Sequence, residues 1–457
     1  MLKDLGEMLK SFRPAFHRKA TFVWFVIVFI GFLVRTDTYG ISSIVRALWL
    51  TPSFYPNLLH FFHSSAFTIA SLMQCWWQWL IKINIAFLID GRIVLIGDHT
   101  KNVKDGRKMP GVTTLHQDSE TGSKPSFFRG HQWGCIGLLV KTVKKAFSLP
   151  LWAEIHNYGL KESQAVRIVN MAREISQYFG RLSFLVLDAF FSVGPVFKAA
   201  AQHIFILTKA KKNIVAYLEP KKKKKNKAGR PAMYGEKITL MELFDSTLYK
   251  FMTIKTLIYN QTETIRCLTI DLLWKPIKGK LRFFLVESSH GRMILMTNDL
   301  FLTIEKAIQL YCNRITIETF FDTLKNLLGG LKYHFWSKYL QPVSRRPLKN
   351  KKESPVSMKQ EKTQNTLAAI EKFVLIQIIV VGTMQLLSMK HSKEICEKSD
   401  CWLRTPCGFI PSLFITRIAL MNIISNNLIS FVKNPIMHLI IAKQKKPRYN
   451  GIIRKAA

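Results

Sequence analysis

Acidic residues are scarce in this chain of 457 residues: Asp and Glu total 29 against 67 Lys and Arg, a net charge of +38. Such an excess destabilises a compact state by self-repulsion unless a polyanion or an anionic surface neutralises it. The shortage therefore excludes an electrically balanced surface and points to nucleic acid first, an anionic membrane second. Cysteine is also sparse. The seven residues (Cys75, Cys135, Cys267, Cys312, Cys396, Cys401, Cys407) are an odd number, none has CxxC spacing, and the Cys396–Cys407 cluster fits no zinc ribbon. A reduced, intracellular compartment is the expectation. Long apolar runs are few. Phe22–Val34 (FVWFVIVFIGFLV) is about 13 residues, short of the roughly 18–20 that span a bilayer, and no Ala-x-Ala-like cleavage site follows it. A second run, Phe373–Met389, is broken by Gln377 and Gln385. Both are expected as buried core helices. No internal repeat is present, while 48% hydrophobic residues provide for a real core and argue against wholesale disorder.

What is there changes character along the chain. Residues 1–90 are apolar, aromatic-rich and helical in pattern. Within them GISSIVRALWLTPSFYPNLLHFF has a helix–turn–helix look, with Ser42 or Ser43 a candidate cap for one helix and Pro52 or Ser53 opening the next; an ordinary helical hairpin fits equally well. From Gly91 onward, RIVLIGD is a β-branched run ending in Asp98, followed by the Gly/Lys-rich loop KNVKDGRKMPG, in which Asp105 is a turn residue. HQWGCIGLLVK predicts a strand, Glu162–Tyr178 a helix, RLSFLVLD a second strand ending in aspartate at Asp188, and HIFILTKAK a further strand. Residues 211–235 are low-complexity and basic and must be solvated or lie against a polyanion. Short strand-like runs dominate Lys237–Met296. Helix returns over 300–332, a charged, proline-containing linker covers 341–365, and the remainder is helical and apolar with a basic tail.

The chemistry concentrates in YCNRITIETFFDTLK. Tyr311, Arg314, Glu318 and Lys325 have the spacing Tyr-x2-Arg-x3-Glu-x6-Lys, which on a regular helix falls within about 60° of one face, beside an apolar stripe of Phe320, Phe321, Leu324, Leu327 and Leu328. Alone, this is equally a salt-bridged helix face. Two upstream strands, however, predict aspartates at their ends, Asp98 and Asp188. Three carboxylates brought together cannot stay ionised without cations between them. Magnesium or manganese held by hard oxygen ligands is the natural solution, and two such ions about 4 Å apart suit an in-line phosphoryl displacement.

At these residues the chain resembles the DDE-type insertion-sequence transposases with an RNase H-like core and the Tyr-Arg-Glu-Lys signature. Three blocks carry the likeness: IGDHTKNVKDGRKMPG, LVLDAFFS, and LMTNDLFL running into YCNRITIETFFDTLK. The resemblance implies an α/β fold: an RNase H-like mixed sheet flanked by helices, a β-rich insertion between the second Asp and the Glu, and helical N- and C-terminal regions. It implies residues 1–90 as a DNA-binding region, 91–210 as the first part of the core, 211–296 as the insertion, 297–340 as the completing helix, and 341–457 as linker and C-terminal region. It implies Asp98, Asp188 and Glu318 as catalytic metal ligands for two Mg2+ or Mn2+ ions. Tyr311, Arg314 and Lys325 become phosphate contacts, and Lys221, Lys222, Lys223, Lys224, Lys225 and Arg230 a further DNA-binding tract resembling a minor-groove hook. Trp274 is a candidate for stacking on a flipped base, with strand packing the simpler role. The residue after Asp98 is His99, not a second acid; it could ligate metal, but supporting a ligand from behind or packing is the expectation. The chain also departs from the pattern at Ile315, where tryptophan is frequent, and at Phe190, where tyrosine is common. The expectation is a homodimeric, cytoplasmic, nucleoid-associated transposase acting on double-stranded DNA without a membrane. The rivals are a catalytically decayed DNA-binding descendant and a basic membrane protein.

Overall fold

A computed structural model describes residues 1–117, 126–143, 145–157, 162–200, 203–220, 232–259, 261–345, 359–399, 410–429 and 435–445. The chain divides into two compact units. One comprises Met1–Lys82, Asn102–Gly130 and Phe321–Ala457, the other Ile83–Lys101 and His131–Phe320.

The second unit is built on strands β1 (Arg92–Val103), β2 (Phe127–Lys141), β3 (Ala146–Ile155), β4 (Ser183–Leu187) and β5 (Ile204–Lys209), in the spatial order β3-β2-β1-β4-β5. β1, β4 and β5 run parallel, with Ile93–Ile96 opposite Ser183–Val186 and Ser183–Leu187 opposite Ile204–Thr208. Parallel neighbours need crossovers, usually helical. Helix α1 (Gln164–Phe179) precedes β4, and α2 (Gly194–Ala200) joins β4 to β5. The sequence of α1 dictates its placement. Ser163 caps it by accepting the Val166 N–H at 3.3 Å, Gly180 ends it at φ 62°, and Ala165, Ile168, Val169, Ala172 and Ile175 form its buried stripe. β4 is buried at every position, as a strand covered on both faces must be. Gly97 admits the helix: a Cβ there would lie 2.8 Å from Ile168 Cγ2.

The segment between Asp188 and Glu318 is β-rich, as the resemblance implies. Strands β6 (Met252–Ile258), β7 (Gln261–Trp274), β8 (Gly279–Ser288) and β9 (Gly291–Thr297) form an antiparallel meander. β9 pairs antiparallel with β5, Leu295 opposite Lys209, so the insertion prolongs the core sheet instead of folding apart from it. The architecture is a large mixed sheet flanked by helices, the layout of an RNase H-like domain.

The first unit is mainly helical. The helix Gln360–Lys390 is buried along most of its length, and Phe32, Phe62, Phe335 and Phe373 pack ring against ring around it. By length and composition it is the one helix among the described residues able to cross a membrane, and 83% of its apolar window is buried. Gln377, which interrupts the apolar run, accepts from the wholly buried Arg35 at 3.1 Å. The helix–turn–helix-like stretch forms helices Ser42–Ala47 and Tyr55–His63, with Pro52 opening the 3-10 turn between them. Neither serine caps: both lie inside the first helix and donate back to the carbonyls of Tyr39 and Gly40.

Candidate active site

Two parallel strands deliver the aspartates. Continuing the Ile96–Val186 register by two residues sets Asp98 beside Asp188. Asp188 follows the last residue of β4, as the sequence predicts. Asp98 departs from its prediction: β1 runs on past it to Val103, so it lies within a strand. Asp188 also caps the 3-10 turn Ala189–Phe191, accepting the Phe190 N–H at 3.0 Å, so the capping role and a site role coexist in one side chain.

The signature stretch is not one regular helix. Tyr311 closes helix α3 (Ile304–Cys312), Arg314 sits in the 3-10 turn Asn313–Ile315, Glu318 lies in α4 (Thr316–Asp322), and Lys325 occupies a π-helical turn, Thr323–Leu327. The stripe calculated for an ideal helix is therefore corrected. A tighter turn followed by a wider one redistributes the side chains, and such irregularities recur at functional sites. Lys325 falls in the first unit. Lys221–Lys225 and Arg230 lie outside the described residues.

Within the second unit the geometry converges on Arg314. Its Nη1 donates to Asp98 Oδ2 at 3.1 Å and its Nη2 to Glu318 Oε1 at 2.7 Å. Burial and the neighbouring charge of Asp188 push the Asp98 carboxyl up to about 7, against the pull of Arg314. Burial also raises the Tyr311 hydroxyl to about 12. Arg314 is held above its ordinary value: burial opposes its charge, and Asp98, Tyr311 and Glu318 outweigh it. Beside the same turn, Asn313 and Thr316 line a depression of about 490 Å³ together with Lys141, Lys145, Tyr259 and Gln309, with no carboxylate among its described lining residues.

The donor set fits a divalent cation in kind: hard oxygens only, with one carboxyl whose charge its neighbours disfavour, a condition that a nearby dication relieves. As the side chains stand, no three His, Cys, Asp or Glu among the described residues converge on one ion. Glu318, half exposed, is turned to Arg314. Trp274 takes the packing role, 5% exposed and edge-on to Phe197.

Behind Asp98, His156, Glu154 and Arg167, none of them singled out in the sequence, join His99 in a part-buried chain. The signal was present in AEIH, whose alternation puts Glu154 and His156 on one face of the strand end.

Paired aspartates on adjacent parallel strands, a glutamate on a following helix and an RNase H-like sheet define the class of DNA-cutting carboxylate enzymes. The chain belongs to the DDE superfamily endonuclease family, which it matches over residues 11–247. The match includes Asp98 and Asp188 and ends before Glu318. No curated protein matches the chain. Membership implies a DNA substrate and divalent-metal chemistry.

Proposed function

We propose that this endonuclease is a transposase of the Tyr-Arg-Glu-Lys group, cutting DNA at the ends of an insertion sequence and joining the freed 3′-OH to target DNA. The observation that carries the reading is Arg314, which ties Asp98 and Glu318 together from opposite ends of the unit's sequence, next to Asp188. Asp98, Asp188 and Glu318 would hold magnesium or manganese. Bound there, the metal supplies an activated water or hydroxyl and stabilises charge on the leaving oxygen. Arg314, the donor nearest the carboxylates, would direct the N–H groups left over from its bonds to Asp98 and Glu318 to the phosphate next to the cut. Tyr311, a phenol that burial moves still further from ionisation, would donate a hydrogen bond at the same place. Lys141 and Lys145 with Tyr259 extend the cationic, aromatic surface along which a strand would run. The net charge of +38 suits a protein that acts as a dimer on two DNA ends and resides with the nucleoid.

The experiment is incubation of the purified protein with linear DNA carrying the element's ends, with magnesium and without. Nicking or strand transfer at the element boundary is expected with metal. Metal-independent or position-independent cutting contradicts the reading.

A further inference from the structure

The His99, His156, Glu154 and Arg167 chain has no part in the chemistry described so far, yet it is built with care. The His99 ring follows Asp98 directly, and its backbone N–H donates to Asp98 Oδ1 at 2.7 Å. The same ring packs on Phe191 and Phe190, with centroids 5.2 and 5.8 Å away, the two residues that turn the chain after Asp188. One imidazole thus touches both aspartate-bearing segments. Its Nε2 lies 3.0 Å from Nδ1 of His156. The His156 side chain is fully buried, and its Nε2 lies 3.1 Å from Glu154 Oε1. Glu154 in turn accepts two bonds from Arg167 on α1, one from Nη2 at 3.1 Å and one from Nε.

The surrounding backbone accommodates this chain. The His156 N–H donates to the Gln132 carbonyl at 2.8 Å. Gly134 on β2 leaves room for the ring: a Cβ there would stand 2.1 Å from His156 Cε1. Burying the His156 imidazole and most of the Glu154 carboxylate is costly unless each is satisfied, and a satisfied network fixes one arrangement of the elements that contribute to it. Here those elements are β1, β3, α1 and the turn after β4.

We propose that Glu154 and His156 are positioning residues, acting through the His99 ring to fix the separation and orientation of Asp98 and Asp188. Neither touches substrate. They hold the carboxylates to the tolerance that a metal-dependent phosphoryl transfer needs, as outer partners do for ligands at metal sites. The inference rests on the reading of Asp98 and Asp188 as metal ligands.

The test uses Glu154→Gln, which keeps the side-chain volume, and His156→Ala, with and without added imidazole, in the full chain. Three quantities are read: the Mn2+ dissociation constant by electron paramagnetic resonance, kcat and KM for end-containing DNA, and the His99 amide signal of the metal-free protein by 15N NMR. Expected in Glu154→Gln are a Mn2+ dissociation constant about 10–100-fold weaker, a matching fall in kcat with KM for DNA unchanged, and a displaced His99 amide signal. Imidazole should partly restore Mn2+ affinity in His156→Ala. If both variants stay folded with wild-type Mn2+ affinity and an unmoved His99 amide, the positioning role is wrong. If wild type binds no Mn2+ but the His99 amide still responds to Glu154→Gln, the metal reading fails and the structural link from Glu154 to Asp98 stands. An unresponsive amide overturns the proposal in either case.

Discussion

Asp98 within β1 and Asp188 just past the end of β4 lie two residues beyond the Ile96–Val186 pair of the parallel register. In that position burial disfavours the charge of Asp98, and the neighbouring Asp188 adds to the effect. Arg314 offsets part of it by donating to Asp98 at 3.1 Å. The site is therefore arranged to gain from cations, whether a guanidinium, a metal or both.

One consequence is a pH dependence of stability in the metal-free protein. The Asp98 carboxyl is raised from its ordinary 3.8 to about 7. Between those values the folded protein keeps a proton that the unfolded chain has lost, so the stability from this group is present below about 4 and is lost as pH rises through about 7. Thermal melts of wild type and Asp98→Asn in chelator should diverge over that window, with wild type falling relative to the variant. Parallel curves contradict the assignment.

Arg314→Ala should cost twice. Removing one phosphate contact should lower DNA affinity at every sequence and reduce the salt slope by about 1. Leaving Asp98 without its counter-charge should also raise its carboxyl further. Binding titrations across salt concentrations measure the first, and the metal-free pH melt measures the second.

Packing makes Gly97→Ala destabilising. The added methyl would meet Ile168 Cγ2 at 2.8 Å and Leu187 Cδ2 at 3.0 Å, in a core where α1 lies directly on β1. A loss of about 1–3 kcal/mol by denaturant unfolding is expected. Wild-type stability would mean that α1 does not pack there.

In the helical unit, Arg35→Ala should be among the most damaging substitutions. The buried guanidinium donates to the carbonyls of Gly40 and Leu328, to Ser43 and to Gln377. Truncation leaves those acceptors in an apolar interior, a cost of about 3 kcal/mol or more, since bonds to charged groups contribute about 1.5–3 kcal/mol each. Denaturant melts check it, with Arg35→Lys intermediate because one ammonium cannot reach all four partners.

Much of the fold was legible because its signals are local. RLSFLVLD is a buried parallel strand, and its continuous apolar run says so. The helix expected over Glu162–Tyr178 forms as Gln164–Phe179. The alternating runs between Lys237 and Met296 give the meander. Asp188 was legible as a strand-terminal aspartate. Asp98 was found with the wrong local structure, since β1 continues to Val103 through residues whose polarity suggested a loop. The break in the signature helix left no mark in propensity: Asn313, Arg314 and Ile315 sit in a tighter turn that tertiary contacts impose. AEIH makes the shared face of Glu154 and His156 legible, but the link from that pair to His99 was illegible for a different reason. It joins His99 to residues more than fifty positions away, and no spacing rule brings such partners together.

Asp98, Asp188 and Glu318 are proposed to act together on DNA. The most direct measurement is magnesium-dependent cleavage of end-containing DNA by wild type, Asp98→Asn, Asp188→Asn and Glu318→Gln, each shown folded by circular dichroism. Wild type should cut at the element end to leave a 3′-OH, and each variant should lose at least about a hundredfold in rate while still binding the DNA. Variants that cleave as fast as wild type would contradict the account.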